Sequence, residues 1–266
     1  MGEPIFHVDS FTDRPFAGNP AAVCILDAER PDSWMQNIAR EMNLAETAFL
    51  QSADSHWGLR WFTPTTEVDL CGHATLASAH VLWESRRAPS QATLFFETKS
   101  GRLSASRRGD QIELDFPAEP AIEGPVSPEI LEALGIASPR FVGRNRLDYL
   151  IEVSDEARVR ALEPDFRRLG AAGMGTRGVI VTAVSSSAGW DFISRFFAPS
   201  AGIDEDPVTG SAHCCLGPFW AARLGKTELS GYQASARGGT VAVRLAGSRV
   251  MLGGKAVTVA RGDLAE

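Results

Sequence analysis

Arg60-Trp61-Phe62-Thr63-Pro64 returns 135 residues later as Arg195-Phe196-Phe197-Ala198-Pro199, and this echo sets the reading of the whole chain. A short polar, acidic stretch follows each copy, residues 65–70 in the first and 200–208 in the second. Each stretch runs into a turn of small residues, Cys71-Gly72-His73-Ala74 and Thr209-Gly210-Ser211-Ala212. Gly72 and Gly210 stand 138 apart, so the second loop is three residues longer. Behind the first turn Leu76, Ala79, His80 and Trp83 recur at helical spacing, and behind the second Cys215, Phe219 and Ala222 do so. Alternating strand patterns come next: residues 94–97 and 111–116 in the first copy, 240–245 and 256–259 in the second. Gly101 and Gly238 fall at matching places between them.

The chain therefore reads as two related α/β halves. Their join falls in the proline-rich segment 117–128, which holds Pro117, Pro120, Pro125 and Pro128. The expected domains are 1–117 and 118–266, with the last strand free to pack back on the first. Upstream, residues 5–8 and 21–26 read as strands around a turn at 15–20. Asp32 and Ser33 are candidate caps for a helix with Trp34, Ile38 and Met42 on its apolar face, ending near Asn43. Residues 47–50 read as extended.

Bulk properties narrow the function. The 266 residues are 44% hydrophobic and 22% charged, an ordinary globular balance, and long enough for two domains. The net charge of −7 disfavours nucleic acid, which wants a basic face; Arg86-Arg87 and Arg107-Arg108 are isolated pairs. No apolar run reaches the roughly 18 residues of a membrane span. Residues 1–10 carry Glu3 and Asp9 and no apolar signal core, and Phe6 breaks a myristoylation pattern after Gly2. Cys24, Cys71, Cys214 and Cys215 show no Cys-x-x-Cys spacing, and neighbours in sequence such as Cys214 and Cys215 are poorly placed to bridge. A reduced, cytoplasmic protein is the expectation.

Two strand-loop-helix turns at matching positions suggest a site where both halves contribute. Helix N-termini present unpaired N–H groups and favour negative charge, and Gly72 and Gly210 let a ligand come close. Such a cradle suits a carboxylate or an enolate-like intermediate; two ordinary glycine turns are the plainer alternative. Glu46 lies in Asn43-Leu44-Ala45-Glu46-Thr47-Ala48-Phe49-Leu50, where apolar neighbours would raise a carboxyl pKa and suit it to acid/base work. By pattern alone it reads first as an exposed strand or capping glutamate. His73 offers a donor or a proton shuttle, or else caps its own helix. His213 borders the second turn, while His7, His56 and His80 read as packing or surface residues. In Asp204-Glu205-Asp206 the ligand spacing of a calcium loop is missing, so no metal is expected; Asp206 is restrained by Pro207. Cys71 faces Thr209 in the alignment of the halves, which rules out a symmetrical two-thiol racemase, and it reads as a small packed residue. The run 170–175 is glycine-rich but lacks the strand-turn-helix context of a dinucleotide site, and reads as a loop.

Taken together, Val8-Asp9-Ser10-Phe11-Thr12, Pro15-Phe16-Ala17-Gly18-Asn19-Pro20, Asn43-Leu44-Ala45-Glu46-Thr47, Leu70-Cys71-Gly72-His73-Ala74-Thr75 and Asp206-Pro207-Val208-Thr209-Gly210-Ser211-Ala212 resemble the phenazine-biosynthesis (PhzF-like) isomerases over nearly the whole chain. The resemblance implies an α+β fold of the diaminopimelate-epimerase type: two pseudo-symmetric domains, each a curved sheet or open barrel around a central helix. It implies Glu46 as the catalytic acid/base, His73, Asp206 and Ser211 lining the substrate site, and backbone amides of Gly72 and Gly210 within it. It further implies a homodimer working without metal or cofactor on a small carboxylated substrate, trans-2,3-dihydro-3-hydroxyanthranilate in characterised members. Family motifs do not fix the substrate here. An amino-acid or hydroxy-acid racemase or epimerase, and a non-catalytic small-molecule binding protein, stay open beside this reading.

Overall fold

β-strands are the commonest element of the computed structural model, which describes residues 2–173 and 175–265. The first half of the chain runs β1 (Pro4–Ser10), β2 (Asn19–Leu26), α1 (Asp32–Met42), β3 (Glu46–Ser52), β4 (Trp57–Phe62), β5 (Glu67–Val68), α2 (Gly72–Glu84), β6 (Leu94–Thr98), β7 (Gly101–Arg108) and β8 (Gln111–Pro117). There follow β9 (Ile122–Glu123), α3 (Pro128–Ala133), β10 (Phe141–Arg144), β11 (Asp148–Glu152), α4 (Glu156–Arg160), α5 (Phe166–Ala172), β12 (Gly178–Val184) and β13 (Phe192–Phe197). A 3-10 turn (Pro199–Ala201), α6 (Gly210–Leu224), β14 (Glu228–Gln233), β15 (Gly239–Ala246), β16 (Arg249–Gly254) and β17 (Ala256–Asp263) complete it. The chain divides into two compact units, Met1–Phe116 with Gly253–Glu266, and Pro117–Leu252.

In the first unit β1 pairs antiparallel with both β2 and β17. β2 runs parallel to β3, β3 antiparallel to β4, β4 parallel to β6, and β6 and β7 antiparallel to their successors. α2 packs against β1, β2, β3 and β17. Every residue from His73 to Ala79 is buried, so α2 is apolar on all sides and forms the hub of the unit. α1 covers the other face, where Met35 and Ala39 join Cys24, Leu26, Phe49 and Phe62. Its buried stripe is thus one step off the expected one, with Trp34 and Ile38 only partly covered. Pro31 is the N-cap and no side chain caps the helix; Asp32 instead accepts from Arg60 Nη1 at 2.8 Å. Asn43, left-handed at φ 49°, ends it.

The second unit repeats the plan. β9 and β11 flank β10 antiparallel, β11 runs parallel to β12, β12 antiparallel to β13, β13 parallel to β14, and β14 antiparallel to β15. α6 packs on β14 and β15, buried throughout from Ala212 to Gly217. Pro218 inside α6 has no N–H to give the Cys214 carbonyl, which accepts from Glu119 N at 3.0 Å instead. α3 has no counterpart in the first unit, whereas α4 and α5 fill the β11–β12 crossover as α1 fills the one between β2 and β3. α3, α4 and α5 place Ile130, Leu134, Val159, Leu162 and Leu169 against Ile151, Val181 and Phe197. Asp155 and Asp165 cap α4 and α5 through the backbone N–H of Arg158 and Arg168. Residues 170–172, read above as loop, end α5, because that helix has an apolar core to cover; Met174 lies outside the described residues.

Register makes the duplication concrete. Trp57 pairs with Phe96, and Phe192 with Gly231, so the parallel β4–β6 and β13–β14 pairs match at an offset of 135 on both strands. Arg60 grips Glu67 through Nε and Nη2 at 2.7 and 2.9 Å; Arg195 grips Glu205 through the same atoms at 2.7 and 2.8 Å. One strand breaks the scheme. β17, placed in the second copy by its pattern but left free to pack back, completes the first unit beside β1.

Candidate active site

Both helices that follow the repeated loops begin at the glycine. The N-cap of α2 is Cys71 and that of α6 is Thr209, each extended and neither supplying a side-chain cap. First-turn N–H groups at both helices are therefore left for other acceptors.

Glu46 opens β3, opposite Ala21 of β2, with its side chain 14% exposed. His73, second residue of α2, brings Nε2 to 3.1 Å from Glu46 Oε2. That oxygen is buried and makes no aligned hydrogen bond, so the contact is one of close approach. Asn19 Nδ2, at the start of β2, lies 3.1 Å from His73 Nδ1, and Ser10 Oγ donates to the His73 carbonyl at 2.8 Å. Nε2 is the ring nitrogen that faces Glu46, and Nδ1 the one that faces Asn19. Cys71 Sγ sits 3.6 Å from His73 Nδ1 and 3.9 Å from Nε2.

Electrostatics sharpen the picture. Burial pushes the His73 imidazole down, but the negative groups around it outweigh burial and hold it well above its usual range. Burial first, then Glu46, pushes the Cys71 thiol up to about 11. The thiol is therefore neutral near pH 7, and the charge that favours the His73 proton is the Glu46 carboxylate. Glu46, Cys71 and His73 each bring one donor atom within 4.8 Å of the others, the group among the described residues able to hold a metal ion.

In the second unit the corresponding loop is tied by Gln233, which is fully buried. Its Nε2 donates to the Asp206 carbonyl at 2.7 Å and its Oε1 accepts from Thr209 N at 2.9 Å. Thr209 Oγ1 donates to Asp206 Oδ2 at 2.5 Å, and Asp206 N donates to the Phe196 carbonyl at 3.1 Å. The Asp206 carboxylate is thus fixed next to the N-terminus of α6, with Gly210 buried and Ser211 half-buried beside it. His213 faces inward: Nδ1 donates to the Thr209 carbonyl at 2.8 Å, the ring lies 5.9 Å from Phe192, and burial pushes its imidazole down to about 4. It is a neutral core residue.

The structure brings Glu46, Gly72 and His73 together in one unit, and Asp206, Gly210 and Ser211 together in the other. Asn19, Ser10 and Gln233, which orient these groups, and the nearness of Cys71 to His73 escape the pattern of the sequence. Asn19 had a signal in the turn Gly18-Asn19-Pro20; Gln233, at the end of β14, had none.

The profile of the PhzC-PhzF family, described as phenazine biosynthesis-like protein, matches residues 8–262. The chain belongs to the PhzC-PhzF family. An uncharacterized isomerase of Halalkalibacterium halodurans in that company is 56% identical over 265 residues, 99% of each chain. A crystal structure of a PhzF-family phenazine biosynthesis protein from Enterococcus faecalis superposes with a TM-score of 0.95 at 43% identity over all of both chains. A probable proline racemase from Agrobacterium radiobacter aligns at a TM-score of 0.65, covering 99% of this chain and 93% of its own; at 13% identity this shows fold alone. The PhzC-PhzF chain thus has the α+β, racemase-like fold of two pseudo-symmetric halves. None of its described helices is long and apolar enough to cross a membrane.

Proposed function

We propose that this protein is an isomerase that moves a proton on a small carboxylated substrate, with Glu46 as the acid/base and no cofactor sharing the proton transfer. The supporting observation is the 3.1 Å contact between Glu46 Oε2 and His73 Nε2 in a buried pocket of side chains, together with relatives named isomerases. Glu46 takes the proton from a carbon α or vinylogous to the substrate carboxylate, and the electron pair moves into the conjugated acid. The protonated Glu46 then returns the proton to a different carbon, so substrate and product have the same composition. His73 stabilises the negative charge that the deprotonated substrate carries between these steps. Gly72 offers its backbone amide to the substrate carboxylate beside Glu46, and Gly210, Asp206 and Ser211 form the matching polar cradle at the N-terminus of α6. A homodimer in the cytoplasm is part of the same reading, through the family likeness.

A second reading is an epimerase, favoured by the Cys71 thiol next to the same pair. Against it stands Thr209, the counterpart of Cys71, which commits its hydroxyl to Asp206. A panel of cyclic and linear carboxylic acids with acidic C–H bonds, incubated with the enzyme in D2O and followed by NMR and chiral chromatography, separates the readings. A shifted double bond with deuterium at a new carbon supports the isomerase. Deuterium at an inverted centre of unchanged connectivity supports the epimerase, and ligand binding with no exchange across the panel supports a binding protein.

A further inference from the structure

We propose that a second pocket in the first unit, around His80 of α2, binds a free α-amino acid with a small apolar side chain. The cavity lies between the β7–β8 hairpin, the start of β17 and the loop after β1, and measures about 290 Å3. That is the small end of ligand pockets, which run roughly 300–1,000 Å3, so an amino-acid-sized molecule suits it. His80 stands two turns beyond His73 on α2, about 10 Å along the axis, and neither Glu46 nor His73 lines the cavity.

The lining charges fall into two groups. Lys255 Nζ meets Asp110 Oδ2 at 2.7 Å, and Asp13 also stands close enough to act on it. Two carboxylates share one ammonium, so this group keeps one negative charge in excess. The opposite sign comes from Arg107, which lies 4.9 Å from the Trp83 ring centroid. Among the described residues no carboxylate pairs with Arg107, so its planar fork is open to one from a ligand. One excess charge of each sign in one small cavity matches a zwitterion. A simple anion would meet the acidic group, and a simple amine the guanidinium.

His80 orients the ligand. Thr258 Oγ1 gives its single hydrogen to the Glu84 carboxylate at 2.6 Å, so toward His80 Nε2, 3.0 Å away, that oxygen can only accept. The imidazole therefore carries a proton on Nε2. Burial outweighs Glu84 and, with Arg107, holds the ring below its usual range, so it is neutral near pH 7 and Nδ1 is a lone-pair acceptor. An ammonium group gives hydrogens to Nδ1 and to the acidic group. The ligand carboxylate takes the Arg107 fork, and its side chain rests on Ile112 and Val257.

This site is independent of the proton transfer assigned to Glu46. The test is isothermal titration of the full-length protein with L-alanine, L-valine and L-leucine. Each is run beside the acid that lacks its amino group and the amine that lacks its carboxylate; for valine these are isovalerate and isobutylamine. At least one amino acid should bind, with its acid and amine counterparts at least about tenfold weaker. Arg107→Met and Asp13→Asn, both at exposed positions, should each weaken that amino acid about tenfold or more, while Glu46→Gln leaves its affinity unchanged. No binding by any of the three overturns the proposal, and so does an acid or amine that binds as tightly as its amino acid. Affinity unchanged in both Arg107→Met and Asp13→Asn places the ligand elsewhere and overturns it as well.

Discussion

His73 Nε2 lies 3.1 Å from Glu46 Oε2, so the first turn of α2 and the first residue of β3 meet in one proton-carrying contact. Each side chain depends on the other. Burial would neutralise the imidazole if the carboxylate were absent, and would raise the energy of the carboxylate if the imidazole were absent.

That dependence is measurable as stability. His73→Phe should cost about 2 kcal/mol, because it strands a largely buried carboxylate. Glu46→Gln should cost about 1 kcal/mol. The double variant should lose less than the sum, with a coupling energy of about 1–2 kcal/mol in urea unfolding. Strictly additive losses would mean that the two groups do not interact.

The duplicated arginine pairs should not be equally valuable. Arg195 and Glu205 have side chains 11% and 18% exposed, and Arg195 also donates to the Leu162 carbonyl at 2.6 Å. Arg60 is 32% exposed and keeps Asp32 as a second partner; Glu67, 14% exposed, is as buried as Glu205, so the order rests on the arginine each variant leaves behind. Glu205→Gln should therefore destabilise by about 2 kcal/mol and Glu67→Gln by about 1 kcal/mol or less. Denaturant midpoints of the two variants decide the order, and a reversed order contradicts the burial argument.

These pairs also explain what the sequence made legible. Arg60 and Arg195 each hold a fixed position in a core strand beside the same aromatic and proline residues, while their glutamates, seven and ten residues on, do not share a spacing. Small residues at Gly72 and Gly210 were readable for a similar reason, since each starts a buried helix. Long-range choices left no such trace. β17 carries an ordinary alternating pattern, and nothing local says that its partner is β1 at the far end of the chain. α3 to α5 are too short for a period to stand out, and only Asp155 and Asp165 mark them. Asn19 and Gln233 act on residues 54 and 24 positions away, beyond any local pattern.

His213 gives a pH signature. Its imidazole is held down at about 4 by burial, against an ordinary 6.5, so the folded state refuses a proton that the unfolded chain accepts. Its stabilising effect is complete above pH 6.5 and fades as pH falls from 6.5 to about 4, by up to roughly 3 kcal/mol. His213→Asn keeps a donor for the Thr209 carbonyl and has nothing to titrate. The Tm gap between wild type and variant should shrink from pH 7 to pH 5; a constant gap would show that His213 titrates normally.

At Gly231 the two registers differ in bulk. Its partner Phe192 puts Cζ 2.4 Å from where a Cβ would stand, whereas the equivalent pair in the first unit is Trp57 with Phe96. Gly231→Ala should cost about 2–3 kcal/mol through overpacking of a fully buried ring. A thermal melt within a degree of wild type would show that Phe192 moves aside freely.

Proton transfer by Glu46 is the central claim, and carbon-bound deuterium is its most direct readout. For a carboxylic acid that the wild type turns over in D2O, Glu46→Gln should bind with similar affinity yet incorporate deuterium at least about a hundredfold more slowly, the usual scale of a lost acid/base group. Deuterium appearing at the wild-type rate in Glu46→Gln would place the transfer on another residue.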